Sequence, residues 1–255
     1  LLLAIKGSDL DYTSMRMGKA ILLLSIPMVL EMVMESVFAI ADIFFVSRLG
    51  GNAIATVGLT ESMMTVVYAI AFGFSMGATA LIARRTGEKN TSGASRAASQ
   101  AILTGLAVST LIAIPGWFFP KDLLRLMGAS EELITDNYRY TQIMMGTNAV
   151  IMFLFIINAI FRSSGDPAIS MKVLMVGNAI NIVLDPILIF GGGPVPALGI
   201  EGAAIATVFG RGIAVLWQFT LLFRGKGRIV LHIRDFRPDF PLLLQLVKLS
   251  LGGIS

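Results

Sequence analysis

Polar side chains that hydrocarbon tolerates poorly recur in two long apolar runs of this 255-residue chain, and in each run their spacing is that of one helical face. Within Met171 to Gly193, Asn178, Asn181 and Asp185 interrupt an otherwise apolar stretch. At about 100° per residue, Asn178 and Asp185 fall within roughly 20° of each other, with Asn181 one turn before the acid. Within Ala20 to Val46, Glu35 is turned by about 40° and Asp42 by about 20° from Glu31, so three acids line one stripe. A carboxylate at mid-membrane costs about 2.5–3.5 kcal/mol even on lenient insertion scales, and such groups usually face a bundle interior or a wet cavity. Asp42, Asn181 and Asp185 offer only oxygen ligands to a cation, which suits H⁺ or Na⁺. A structural alternative stands beside this reading. Pro186 follows Asp185, and the acid can satisfy backbone groups that the proline frees.

Six spans are expected to carry these residues. The first is Ala20 to Val46, with Pro27 inside it; the second is Ala53 to Ala83, whose GFSMGATA segment reads as close helix packing. A basic loop, Arg84 to Arg96, leads to a third span at Ala97 to Phe119, closed by Pro120. After a polar loop from Lys121 to Asp136, with an amphipathic turn that suits the interface, the fourth span runs from about Tyr138 to Phe161. Tyr140 and Thr147 share a face there, a pattern that more often reflects helix–helix hydrogen bonding than a ligand site. The fifth span is the Met171 to Gly193 stretch, and the sixth is Gly199 to Phe223. Arg211, inside the sixth, must pair with an acid or reach an aqueous vestibule. His232, the only histidine, reads as solvated in the basic stretch that follows.

Composition agrees: 55% of residues are hydrophobic and 14% charged, with a mean hydropathy of +0.80, which marks a polytopic membrane protein. With no cysteine, disulfides and thiolate metal sites are excluded. The net charge of +4 is explained by basic loops rather than by nucleic acid. If the six spans alternate, 14 Lys and Arg fall on the side of the N-terminus and 4 on the other, which predicts a cytoplasmic N-terminus. Asp42 lies six residues before Arg48 and Asp185 six before Gly191. Both acids are therefore expected roughly 9 Å inside the outer face, able to share one cavity. Leu24-Ser25-Ile26-Pro27 is echoed by Leu249-Ser250-Leu251-Gly252, which suggests a second copy starting near Pro241. The domain reading is a six-helix lobe at 1–225, an amphipathic cytoplasmic linker at 226–240 and the start of a seventh helix at 241–255. The intact product is expected to continue for about as many residues again.

Five segments carry a family resemblance: IPMVLEMVMESVFAIADIFFVSRLGG at 26–51, FGFSMGATALIARRTGE at 72–88, INAIFRSSGDP at 157–167, NAINIVLDPILIFG at 178–191 and GIEGAAIATV at 199–208. With these the chain resembles the multidrug and toxic compound extrusion (MATE) family. The resemblance implies an all-α membrane protein, here a six-transmembrane-helix lobe of a twelve-helix, two-lobe transporter in a prokaryotic cytoplasmic membrane. It implies export of small cationic organic compounds in exchange for H⁺ or Na⁺, no other cofactor, and a second six-helix lobe and membrane lipids as partners. By the same resemblance Asp42 corresponds to the family's first-helix acid, Asn181 and Asp185 to its fifth-helix pair, and Tyr140 and Thr207 to a fourth-helix tyrosine and a sixth-helix threonine. Glu35 and Asn178 join the expected substrate and ion site, and Pro27 corresponds to a first-helix proline that supports bending.

Two rivals remain open. A lipid-linked oligosaccharide flippase would be expected to line its cavity with Arg and Lys for a pyrophosphate, whereas this inventory is acidic apart from Arg211. The membrane subunit of an ATP-driven permease is the other. No P-loop pattern and no HExxH occurs in the sequence. No nucleophile elbow is expected either, so no catalytic residue is assigned.

Overall fold

The computed structural model describes residues 15–251, so Lys6 and the Gly252 end of the repeat signal lie outside the described residues. Six helical spans are long and apolar enough to cross a membrane. In order these are α1 (Met17–Ser47), α2 (Gly51–Gly87), α3 (Thr91–Phe118), a span made of α5 (Glu131–Gly146) and α6 (Ala149–Ser164), α7 (Pro167–Phe190) and α8 (Ile200–Phe223). The short α4 (Pro120–Leu126) precedes α5, and a 3₁₀ turn at Ile233–Phe236 leads to α9 (Phe240–Leu251). Among the described residues this is an all-α fold of membrane-spanning helices.

Several boundaries differ from the sequence reading, each for a local reason. The expected basic loop at 84–96 shrinks to three residues, because Lys89 turns the chain at φ 56° and the Asn90 side chain accepts from the Gly93 N–H to start α3. Pro120 does not merely close the third span. It occupies the first turn of α4, where its missing N–H costs nothing. The fourth span starts at Glu131 rather than Tyr138, since the Ser130 hydroxyl caps the Leu133 N–H and Glu131 and Glu132 sit in the first turn. That span breaks at Thr147 and Asn148, where the buried Asn148 amide donates to Met145 O and Ser109 O. Thr147 bonds back to Ile143 O, so it does not share a partner with Tyr140.

The largest hydrophobic core joins α2, α3, α6, α7, α8 and α9 and receives no side chain from α1. The residues after α8 belong partly to this core: Ile229 and Leu231 are buried in it. The fully buried Gln100 of α3 also donates to Asp235 O and Arg237 O and accepts from the Asp239 N–H. The predicted interfacial linker is therefore clamped against α3, with Ile233 left 85% exposed. His232 is exposed, as expected.

The closest helix pairing is α7 on α8. Their backbones touch at two glycines. A Cβ on Gly210 would stand 2.7 Å from Gly177 O, and one on Gly202 would collide with the Leu188 carbonyl. Small residues thus set this crossing, as is common where helices meet in lipid. Overpacking it costs about 1–3 kcal/mol. Gly210→Ala is accordingly expected to lower the unfolding free energy in detergent by that amount, and Gly212→Ala, whose Cβ meets nothing within 4 Å, to leave it within error.

Candidate functional site

Three acids descend one side of α1, and the other helices answer them unequally. Glu31, 9% exposed, accepts from Arg162 Nη1 at 3.0 Å and from Asn158 Nδ2 at 3.3 Å, both on α6. Gln218 of α8 donates to Asn158 Oδ1 and extends this layer. Glu35 accepts from Arg211 Nη2 at 2.7 Å and from Asn178 Nδ2 at 3.2 Å. The Arg211 guanidinium also lies over the Phe38 ring, 4.9 Å from its centroid. Both readings of Arg211 hold: it pairs with an acid and it lines an open cavity. Asp42 forms no ion pair among the described residues, and its Oδ1 is buried without a hydrogen-bond partner.

Behind Asp42, α7 and α8 supply a second row. Asp185 is 0% exposed and accepts from Asn181 Nδ2 at 3.4 Å, while the same amide donates to Thr207 Oγ1 at 3.2 Å. Asp185 Oδ2 and Asn181 Oδ1 are buried and unpartnered. Asp185 thus does not cap the backbone at Pro186; its partner is a side chain. Asp185 and Asp42 are near enough for their charges to interact, but Asp185 is absent from the cavity wall that Asp42 lines, so the two do not share one lining as the sequence suggested.

The single polar face expected on α7 divides. Asn178 belongs with Glu35 and Arg211, and Asn181 and Asp185 with Asp42 and Thr207. Of the predicted site residues, Glu35, Asp42, Tyr140 and Thr207 line an open cavity of about 240 Å³ between α1, α2, α5 and α8. Asn178, Asn181 and Asp185 are not in its wall. Pro27 is buried in the N-terminal half of α1, away from the cavity.

Glu61 and Tyr68 of α2 also line the cavity, and sequence reasoning missed both. The signal was present: an acid at mid-run in Ala53 to Ala83 carries the same penalty as those of α1. That run also contains Gly73-Phe74-Ser75-Met76-Gly77, which has the GxSxG spacing of a nucleophile elbow, against the expectation of none. It is no nucleophile elbow, because Ser75 lies mid-helix and donates to Phe72 O at 2.7 Å.

A Na⁺ ion fits the donor set at the second row. Asp42 Oδ1, Asn181 Oδ1 and Asp185 Oδ2 are buried oxygens without partners, and hard cations take such ligands.

Comparison with known proteins places this geometry. The MatE family model matches residues 27–187. The FAD transporter of Shewanella oneidensis is 32% identical over 216 residues, which is 84% of this chain and 46% of that protein. The multidrug export protein MepA of Staphylococcus aureus is 25% identical over 234 residues, covering 91% of this chain and 51% of its own. A crystal structure of MATE in the bent conformation superposes with a TM-score of 0.84 at 30% identity, over 98% of this chain and 54% of that one. The chain spans about half the length of the curated relatives it matches.

The Glu35–Arg211 pair tests the electrostatics. Removing one partner of a buried pair strands the other charge, but the Glu35 side chain is 41% exposed, which weakens the effect. A double-mutant cycle with Glu35→Gln and Arg211→Met, read by unfolding in detergent, is expected to give a coupling of about 1–3 kcal/mol. A coupling near zero means that the contact is not maintained.

Proposed function

The chain belongs to the MatE family, and from that premise we propose that it forms the first half of a secondary active multidrug efflux transporter. Small cationic organic compounds are its cargo and H⁺ or Na⁺ its coupling ion. One observation carries the reading: in a membrane protein whose other α1 acids are paired, Asp42 is left without a counter-ion at the wall of an aromatic-lined cavity. An uncompensated carboxylate in low dielectric attracts any cation that can reach it. Asp42, with Asp185 and Asn181 behind it, is the ion site. Tyr140, Thr207 and Glu35 face the cargo, and Asn178 holds Glu35 in place. Pro27 is the bending point of α1.

Exchange follows if the two cations compete. A proton or Na⁺ at Asp42 and Asp185 removes the negative charge that a cationic cargo needs, so each ligand favours a different state of the site. The chain itself supplies the oxygens, excludes lipid and holds the carboxyl groups together; no bond is made or broken in the cargo. A second lobe of similar size, in keeping with the length of the relatives, closes the cavity. The basic residues at 84–96 and 224–237 support a cytoplasmic N-terminus. The acidic excess of the cavity disfavours a pyrophosphate-linked lipid as cargo.

Two measurements test this. In proteoliposomes without ATP, efflux of a fluorescent cation is expected under an imposed H⁺ or Na⁺ gradient, and Asp42→Asn is expected to abolish it while protein accumulation is unchanged. Near-normal efflux by that variant, or transport that needs ATP, overturns the reading. The sign of competition is fixed as well. Cargo binding must weaken as either the proton or the Na⁺ concentration rises; an affinity indifferent to both removes the coupling role from Asp42 and Asp185.

A further inference from the structure

Asp42 is not the only acid in the cavity wall without a counter-ion. Glu61, on α2, meets the Tyr68 hydroxyl at 3.4 Å, and no ion pair reaches it among the described residues. Arg211 is near enough to act on it, yet the guanidinium is bonded to Glu35 and laid against Phe38. The lining thus holds three carboxyl groups, Glu35, Asp42 and Glu61, against one guanidinium, leaving two negative charges when all are ionised. Asp42 and Glu61 stand in the lining of the same cavity, near enough for their charges to interact. Such a pair repels until a ligand brings positive charge to both.

The rest of the wall says what kind of ligand that is. Tyr140 is 3% exposed, lines the same cavity, and its hydroxyl has no hydrogen-bond partner among the described residues. Tyr68 adds a second ring, and aromatic faces attract organic cations; Phe38 also lines the cavity, with Arg211 over its ring. Among the described residues, no three acidic or imidazole side chains come close enough to hold a metal ion. The charge is therefore laid out for an organic ligand and not for a divalent metal.

We propose that Glu61 is a second cargo-binding carboxylate and that the cavity is matched to flat aromatic compounds carrying two positive centres. The assignment rests on the transport reading, because Asp42 is its first cation site, but it makes a separate demand. A singly charged cargo satisfies Asp42 alone and leaves Glu61 unanswered. A doubly charged one of the same size satisfies both.

The test uses the intact transporter and two probes of nearly equal shape, N-methyl-4-phenylpyridinium with one charge and methyl viologen with two, with binding measured by equilibrium dialysis. Wild type is expected to bind viologen about tenfold more tightly than the monocation. Glu61→Gln is expected to remove that preference, lowering viologen affinity about tenfold while the monocation stays within about twofold. Glu61→Asp, which keeps the charge, is expected to retain most of it. Equal losses for both probes in Glu61→Gln, or no loss for either, overturn the assignment. If Glu61→Gln does not accumulate, the wild-type comparison decides, since absence of a viologen preference overturns it without any variant. The two readings fail differently. Gradient-driven export of the monocation with no preference for viologen refutes only the role of Glu61, whereas no binding of either probe and no gradient-driven export refutes the transporter reading.

Discussion

A charge placed in hydrocarbon has to be answered by another group inside the bundle, and the rest of this structure follows from where that answer is given and where it is withheld. Along α1, Glu31 is met by Arg162 and Asn158, and Glu35 by Arg211 and Asn178. Asp42 receives no cation of its own. Compensation therefore stops at the end of the stripe nearest Arg48, and the open cavity begins there. The two paired acids are structural members that allow the third to be reactive, because they hold α1 against α6, α7 and α8 without drawing a partner away from Asp42.

This matters because α1 has little else to hold it. The largest apolar core takes nothing from it, and only its last turns, through Val46 and Phe45, join a smaller cluster. Large side chains such as Met32 and Ile40 are about 70% exposed, and its main helical neighbour is α7. The seat of α1 is thus set largely by polar contacts, whereas α2, α3, α6 and α8 are fixed by close apolar packing. Close-packed cores are stiff, and ion pairs respond to local charge. An element held in the second way, and carrying an acid without a counter-ion, is the one whose position can depend on the charge beside it.

Much of the site was legible in the sequence because membrane burial makes polar residues conspicuous. The stripe of Glu31, Glu35 and Asp42 and the proximity of Asp42 to Asp185 follow from helical periodicity and from counting residues to the span ends. What periodicity could not supply was the division of labour across helices. Asn178 and Asp185 share a face of α7, yet they serve different acids of α1, since a face about 10 Å long meets more than one turn of its neighbour. The identity of Arg211's partner was undetermined for the same reason. Glu61 was missed on another ground: its run is dominated by Gly, Ala, Ser and Thr, which drew the reading toward packing. At the span ends the signals were local and readable. Asn90 and Ser130 are capping residues in plain sight, but hydropathy alone placed the spans, and hydropathy is blind to caps.

The relation between Gly210 and Asn181 shows how packing and chemistry are joined. A side chain at 210 would press on Asn181 as well as on the Gly177 carbonyl, so the absence of a Cβ there lets α8 approach until Thr207 comes within 3.2 Å of the Asn181 amide. With its Nδ2 shared between Thr207 and Asp185, Asn181 is oriented so that its carbonyl oxygen is left over, and Asp42 and Asp185 each also keep one buried oxygen without a partner. Three unpartnered oxygens in a dry site are unfavourable by themselves and become favourable only when a proton or a cation arrives. The small-residue crossing of α7 and α8 therefore shapes the polar contacts as well as the packing, because it brings Thr207 to the same amide that reaches Asp185 and so fixes which end of Asn181 is bonded and which is left free.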